Sequence, residues 1–274
     1  QQTLEEKYDA VIATSMVDVA TLRGLVPSLA VTPLWLYCHE NQFAYPAGAE
    51  KNNPIAHDLE AKMVFIYNCL AADKISFNSH WNRDSALAGM AELLHRFPEK
   101  INPCLLESIT NKSDVLPVPL TEKLNLSPSV LDTDINTNVD VNVKVSKETS
   151  PLRLLWNHRW EYDKGPDAFF DKLNLLIQSG ENFQLILCGE QFNAIPEAFQ
   201  RIQDSHGTRV IHSGFAESQA QYGELLRQSD LLIHLPLQEY FGLSVAEAMS
   251  SGVIPLLQRD QAYPEWVPDE FLFD

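Results

Sequence analysis

The sequence predicts an α/β protein made of two parallel sheets, each covered by helices. Short apolar runs of strand length alternate with longer stretches of helical spacing, the signature of βαβ units. Runs such as Leu-Trp-Leu-Tyr-Cys38 and Leu-Ile-Leu-Cys188 are apolar at nearly every residue, as expected of strands buried on both faces. The alternation stops once, at a polar stretch in the middle, and then resumes. Two α/β halves follow.

In the first half, residues 8–15 read as a buried strand and 17–25 as a helix closed by Pro27. Residues 32–38 form a second strand, ending at His39-Glu40-Asn41-Gln42. A long helix is expected over 55–72, with Ala61, Phe65, Cys69 and Ala72 on one face. A third strand over 74–79, a helix over 82–94 and a strand over 114–119 complete this half. Ligands of such sheets sit at the carboxyl ends of strands, where Ser15, His39, Asn78 and Ser79 fall.

Residues 124–150 are rich in Asn, Asp, Thr, Ser and Val and contain no aromatic residue; they read as a linker or disordered loop. Their Asp/Asn spacing lacks the Gly and closing Glu of a calcium loop. Domain limits of 1–122 and 151–274, with a linker over 123–150, result. In the second half, strands are expected over 152–156, 183–188, 208–212, 230–234 and 253–257, with 253–257 closing the sheet. Helices are expected over 166–179, where Pro166 suits the first position, and over 218–228 and 245–250.

At 274 residues the chain can bury one large or two ordinary cores. Its net charge of −17 argues against non-specific nucleic-acid binding, which relies on basic residues at phosphates. A local patch at Arg83, Arg96, Lys100 and Lys112 stays open, as does the alternative that these residues line an exposed helix face. No apolar run approaches the roughly 18 residues that span a membrane, and the polar start at residues 1–7 does not resemble a signal peptide. Cys38, Cys69, Cys104 and Cys188 lack C-x-x-C pairing and read as buried free thiols of a reducing cytosol.

Two motifs carry candidate chemistry. Glu239-Tyr-Phe-Gly-Leu-Ser-Val-Ala-Glu247 follows a strand and runs into a helix. Backbone N–H groups at such a turn are free to donate, and Gly242 allows close approach of a ligand. Glu239 in the turn and Glu247 in the helix suit hydrogen bonds to diols; a solvated helix start is the plain alternative. Asn157-His-Arg159-Trp-Glu-Tyr-Asp-Lys164-Gly165 also follows a strand. Arg159 offers a fork and Lys164 a point charge, the pairing suited to a diphosphate, although both also stand beside Glu161 and Asp163. No Walker loop or G-x-G-x-x-G accompanies them, which disfavours kinase, ATPase and dinucleotide readings.

Together and in this order, the two motifs resemble the retaining group-1 glycosyltransferases of the GT-B fold, two Rossmann-like domains facing a cleft. The resemblance implies that Glu239 contacts the transferred sugar and that Arg159 and Lys164 hold the donor diphosphate. It places the Phe241-Gly242-Leu243 backbone over sugar and phosphate, Glu247 on the ribose, and Gly189-Glu190 near the base. His39-Glu-Asn-Gln-Phe-Ala-Tyr-Pro46, Phe77-Asn78-Ser79 and residues 156–164 narrow the likeness to the tRNA-queuosine mannosyltransferase family. That family implies transfer of mannose from GDP-mannose to the queuosine base of tRNA in the cytoplasm, with His39 beside the sugar. His57, His80, His95, His206, His212 and His234 are left structural. With no D-x-D motif outside residues 123–150, no metal is expected, and the nucleotide sugar is the expected small-molecule partner, with no membrane partner. The family's earlier strand, its glycine-containing loop and its long terminal helix are missing from the sequence, so an incomplete first domain is expected. A lipid, glycan or small-molecule acceptor remains an alternative, as does a catalytically silent nucleotide-sugar-binding fragment. A GT-B-shaped epimerase or phosphorylase is the further one.

Overall fold

The computed structural model describes residues 6–44, 54–98, 102–120, 151–192 and 195–274, with only the backbone described over 54–58. The expected linker 123–150, Asp132-Thr-Asp134, Tyr45, Pro46, Lys100 and the His57 side chain lie outside the described residues. The chain divides into two compact units. The first holds residues up to Val118 together with Gln238–Phe241 and Asp260–Trp266; the second holds the remainder.

The first unit contains a parallel sheet of β1 (Val11–Thr14), β2 (Leu34–Cys38), β3 (Lys74–Phe77) and β4 (Ser113–Val115), paired in that order. Its helices are α1 (Val19–Leu25), α2 (Pro54–Ala71), α3 (His80–His95) and α4 (Cys104–Asn111). Leu34, Leu36, Cys38, Phe65, Cys69, Ile75, Phe77, Ala86, Met90 and Ile109 form its apolar core.

Helix starts are set by local chemistry. Asp18 accepts from Thr21 N at 2.9 Å to cap α1, and Ser79 accepts from Asn82 N at 3.0 Å to cap α3. Ser79 thus belongs to a helix start, where the sequence reading had placed the last residue of a strand. Helix α4 carried no expectation: it is short, and its signal is confined to Leu105, Leu106 and Ile109, which pack on the core.

The second unit contains β5 (Leu152–Trp156), β6 (Phe183–Cys188), β7 (Val210–Gly214), β8 (Leu231–His234), β9 (Ile254–Gln258) and β10 (Leu272–Phe273). Its helices are α5 (Pro166–Gln178), α6 (Glu197–His206), α7 (Gln219–Gln228) and α8 (Leu243–Ser250). The parallel sheet has the order β10-β9-β8-β5-β6-β7, which is the doubly wound order 3-2-1-4-5-6. The order reverses between β5 and β8, where Leu154 pairs with Leu231 and Leu155 with Leu232.

Trp156 ends β5 fully buried, in edge or tilted contact with Phe169 and Phe199, and its indole N–H donates to the His158 carbonyl at 2.9 Å. A buried indole with its N–H satisfied anchors the start of the following turn.

Three expectations need correction here. Strand β7 begins two residues later than the sequence implied, because Gly207–Arg209 form a 3-10 turn. The strand at 254–258 does not close the sheet: Leu272 pairs with Leu257 in a further edge strand. Helix α6 was missed; its buried Ala198, Phe199, Ile202 and His206 are interleaved with enough polar residues to hide the stripe. Among the cysteines, Cys38, Cys69 and Cys188 are buried free thiols as expected, but Cys104 is exposed at the first turn of α4.

Candidate functional site

In a doubly wound sheet the crevice at the point of strand-order reversal is open at the carboxyl ends of the two diverging strands. In the second unit those ends are residues 157–165 after β5 and residues 235–237 after β8. The floor between them is made of two histidines. His158 and His234 are buried, and their rings stack with centroids 3.5 Å apart. His158 Nδ1 lies 2.6 Å from Ser244 Oγ in the first turn of α8. Burial pushes both imidazoles well below their usual basicity, and the Lys164 ammonium adds to it for each. Both rings are therefore neutral. The reading of His234 as structural agrees with this stack.

Above this floor stand the two predicted cations. Arg159 is about half exposed and pairs with Glu161 at 3.1 Å. Lys164 is largely covered and lies 3.4 Å from the buried carboxylate of Asp163. Both acidic neighbours seen in the sequence are thus used, while the Arg159 guanidinium keeps an exposed face. The turn is held open by backbone bonds: Leu237 N donates to the Asp163 carbonyl at 2.8 Å, and Trp160 N to the Glu190 carbonyl at 2.9 Å. The latter brings the predicted Gly189-Glu190 pair against residues 158–160. A Cβ at Gly189 would stand 1.9 Å from the His158 carbonyl oxygen, so only glycine fits there.

Gly242 precedes α8 with φ of 89°, a conformation that strains any residue with a Cβ. It starts a helix whose first backbone N–H groups have no acceptor within the helix. Leu243 is exposed and Glu247 half-buried. Burial raises the Glu247 carboxyl above its ordinary value, opposed by a hydrogen bond from the Tyr222 hydroxyl at 2.7 Å. A half-exposed guanidinium and a lysine after β5 and a half-buried carboxylate on α8 are group types suited to phosphate and to hydroxyls.

The remaining predicted site residues belong to the first unit. His39 follows β2, exposed, in edge contact with Tyr37 at 4.8 Å, and partial desolvation lowers its basicity. Its carbonyl accepts from Asn78 Nδ2 at 2.7 Å. Beside it lies a buried amide cluster of which sequence reasoning singled out Asn78 but not its partners Asn41 and Asn82. Asn41 Nδ2 donates to Asn82 Oδ1 at 2.9 Å, and Asn82 Nδ2 to Asn78 Oδ1 at 2.8 Å and to the Cys38 carbonyl at 3.1 Å.

The Asn41 side-chain oxygen accepts from Phe43 N and Ala44 N. The His39-Glu-Asn-Gln stretch therefore owes its shape to its asparagine. Glu239 and Phe241 flank Tyr240, whose hydroxyl donates to the Asn41 carbonyl at 2.6 Å and whose ring lies 5.5 Å from Trp81. Glu239 N donates to Gln261 Oε1. Trp266 Nε1 donates to the Phe241 carbonyl at 3.0 Å, with the two rings stacked.

The described members of the suggested basic patch in the first unit are engaged internally. Arg83 pairs with Asp84, Arg96 with Glu92, and the Lys112 ammonium donates to the carbonyls of Leu70 and Ala72. Among the described residues no three His, Cys, Asp or Glu side chains come together as a metal site, and no helix is long and apolar enough to cross a membrane.

Comparison with known proteins identifies the family. Residues 1–120 match the family described as tRNA-queuosine alpha-mannosyltransferase N-terminal, and residues 140–272 the family described as glycosyl transferases group 1. The chain is 30% identical over 271 residues to a tRNA-queuosine alpha-mannosyltransferase of Drosophila melanogaster, covering 98% of this chain and 68% of that protein. It is 27% identical over 126 residues to a GDP-mannose:cellobiosyl-diphosphopolyprenol alpha-mannosyltransferase of Xanthomonas oryzae, covering 45% of this chain and 33% of that one.

Among solved structures, Anabaena Alr3699/HepE in complex with UDP superposes with a TM-score of 0.64 at 19% identity, covering 99% of this chain and 66% of that one. The UDP-forming trehalose-phosphate synthase of Burkholderia xenovorans gives 0.63 at 15%, covering 100% and 64%. The chain thus spans about two thirds of the length of these structures, and the likeness shows the fold to be GT-B. The chain belongs to the tRNA-queuosine alpha-mannosyltransferase family and carries that family's group-1 glycosyltransferase domain.

Proposed function

We propose that this chain is a retaining glycosyltransferase that moves mannose from GDP-mannose onto the queuosine base of tRNA in the cytoplasm. The observation that carries the reading is the 30% identity to a tRNA-queuosine alpha-mannosyltransferase over 98% of the chain, and the turn after β5 with Arg159 and Lys164 and the helix α8 with Glu247 support it. GDP-mannose as donor draws support from the second relative, whose name specifies it.

In this reading Arg159 and Lys164 bind the donor diphosphate and stabilise the charge that grows on it as the bond from sugar C1 to phosphate oxygen breaks. A hydroxyl of the acceptor forms the new bond to C1 on the same face, and its proton passes to the departing diphosphate. The Phe241-Gly242-Leu243 backbone covers sugar and phosphate. Glu239 and His39 contact the transferred sugar, Glu247 receives the ribose hydroxyls, and Gly189 and Glu190 adjoin the base. No metal takes part in the proposed reaction.

The test has two stages. Thermal shifts with GDP, GDP-mannose, UDP and ADP come first; a ligand at a hundred times its Kd adds about 2.7 kcal/mol of stability. Labelled GDP-mannose is then offered with tRNA carrying queuosine and with the same tRNA carrying guanosine. Stabilisation by GDP and label on the queuosine tRNA alone supports the proposal. Stabilisation by UDP or ADP instead removes the donor assignment. Donor hydrolysis without tRNA labelling removes the acceptor and favours a second reading, in which a lipid, glycan or small molecule accepts the sugar. The net charge of −17 and the internally paired Arg83, Arg96 and Lys112 favour that second reading.

A further inference from the structure

Tyr222 lies one turn into α7, and its hydroxyl bridges two other elements. It receives a hydrogen bond from Asn157 Nδ2 at 3.1 Å, just past β5, and donates to Glu247 Oε2 at 2.7 Å, on α8. The direction of this relay is chemically fixed. Asn157 Nδ2 also lies 2.7 Å from the Ser244 carbonyl. A carbonyl only accepts, so the amide atom facing both partners is the nitrogen. With the amide donating into the phenol oxygen, the single phenolic proton is directed at Glu247.

We propose that Tyr222 is a positioning residue for donor binding, fixing the Glu247 carboxylate in the orientation that receives the ribose hydroxyls, with Asn157 fixing Tyr222 in turn. This rests on the assignment of Glu247 to the ribose. A glutamate side chain has three torsions to lose on binding; one already held by a buried phenol loses less. Burial and the facing Glu247 charge push the Tyr222 phenol far up, so it remains a donor throughout the working pH range. The titratable groups facing the pair are Cys188 at the end of β6 and the two partners themselves.

The test measures calorimetric affinity for GDP and for 2′,3′-dideoxy-GDP, from pH 5 to 8, in the unmodified chain, Tyr222→Phe and Glu247→Ala. The unmodified chain prefers GDP, and Glu247→Ala abolishes that preference. Tyr222→Phe weakens GDP binding roughly tenfold and leaves dideoxy-GDP binding unchanged. It also raises the pH at which GDP affinity falls away, because Glu247 loses the donor that opposed its upward shift. A melting temperature within a few degrees of the parent certifies the fold. If Tyr222→Phe keeps both the full preference and the pH midpoint, the positioning role is wrong while the ribose assignment stands. If Glu247→Ala keeps the preference, the ribose assignment falls and takes the proposal with it. Absence of GDP binding in the unmodified chain, repeated with UDP and ADP, overturns both.

Discussion

The imidazole of His158 lies on that of His234 with centroids 3.5 Å apart and planes 15° from parallel. Two such rings cannot both charge without severe repulsion, and their burial already holds each well below the ordinary value of 6.5. They form a neutral platform beneath a crevice that we propose receives a diphosphate.

The sign of the resulting pH dependence follows. Below pH 6.5 the unfolded chain takes up protons at these histidines while the folded chain does not, so stability is complete above that value and lost as pH falls. Each imidazole contributes a slope of up to about 1.4 kcal/mol per pH unit. Urea midpoints between pH 5 and 7.5 should show a steep fall below 6.5. The double variant His158→Asn with His234→Asn should flatten it, and an equally steep double variant would remove the platform from the explanation.

Lys164 and Arg159 should separate in stability. Removing Lys164 leaves the buried Asp163 carboxylate uncompensated, so Lys164→Ala should cost about 3 kcal/mol. The exposed Arg159–Glu161 pair is worth under about 1 kcal/mol. Both variants should lose transfer activity. Chemical denaturation beside a transfer assay checks the pair; a stable, active Lys164→Ala would contradict both roles.

Glu239→Ala should abolish transfer and leave the melting temperature within a few degrees of the parent, since the backbone N–H bond to Gln261 survives and the side chain's contact with Phe241 N is long at 3.4 Å. His39→Ala should slow turnover strongly and change donor affinity little. Steady-state kinetics with donor titrations distinguish these from a general loss of structure.

Asn82→Ala should be the more damaging change in the first unit. It removes the donor to the buried Asn78 Oδ1, at a cost of about 1–3 kcal/mol for the orphaned group, while Asn41 Nδ2 keeps the Asn82 carbonyl and Ser85 Oγ. Loss of less than about 1 kcal/mol in a denaturant titration would show that water replaces the amide.

Much of the fold was legible because parallel strands buried on both faces leave unbroken apolar runs. Strand β6 was bounded correctly, and the strand ends carrying His39, Arg159 and Glu239 were found. Short amphipathic segments were not legible: α4 and α6 present four or fewer buried residues amid polar ones. The candidate site was read from charge and from the family resemblance, which single out Arg159, Lys164, Glu239 and Glu247 but not the residues that hold them. Tyr222 is an aromatic in a polar helix, and its role depends on Asn157 and Glu247, which are far from it in sequence. Asn41 was hidden in plain view within a quoted motif, because a buried amide looks the same as a solvated one until its partners are known.

Tyr240, Glu265 and Trp266 sit in segments that pack with the first unit, while their sequence neighbours pack with the second. Glu265 receives the backbone N–H groups of His80 and Trp81 at the start of α3. A chimera that replaced everything after residue 150 with a relative's half would bring a foreign cap for α3 and a foreign partner for Asn41 into the amino-terminal unit. Because both contacts end on main-chain groups, what the incoming half must keep is a carboxylate at position 265 and a hydroxyl at position 240, whatever side chains stand at 41, 80 and 81.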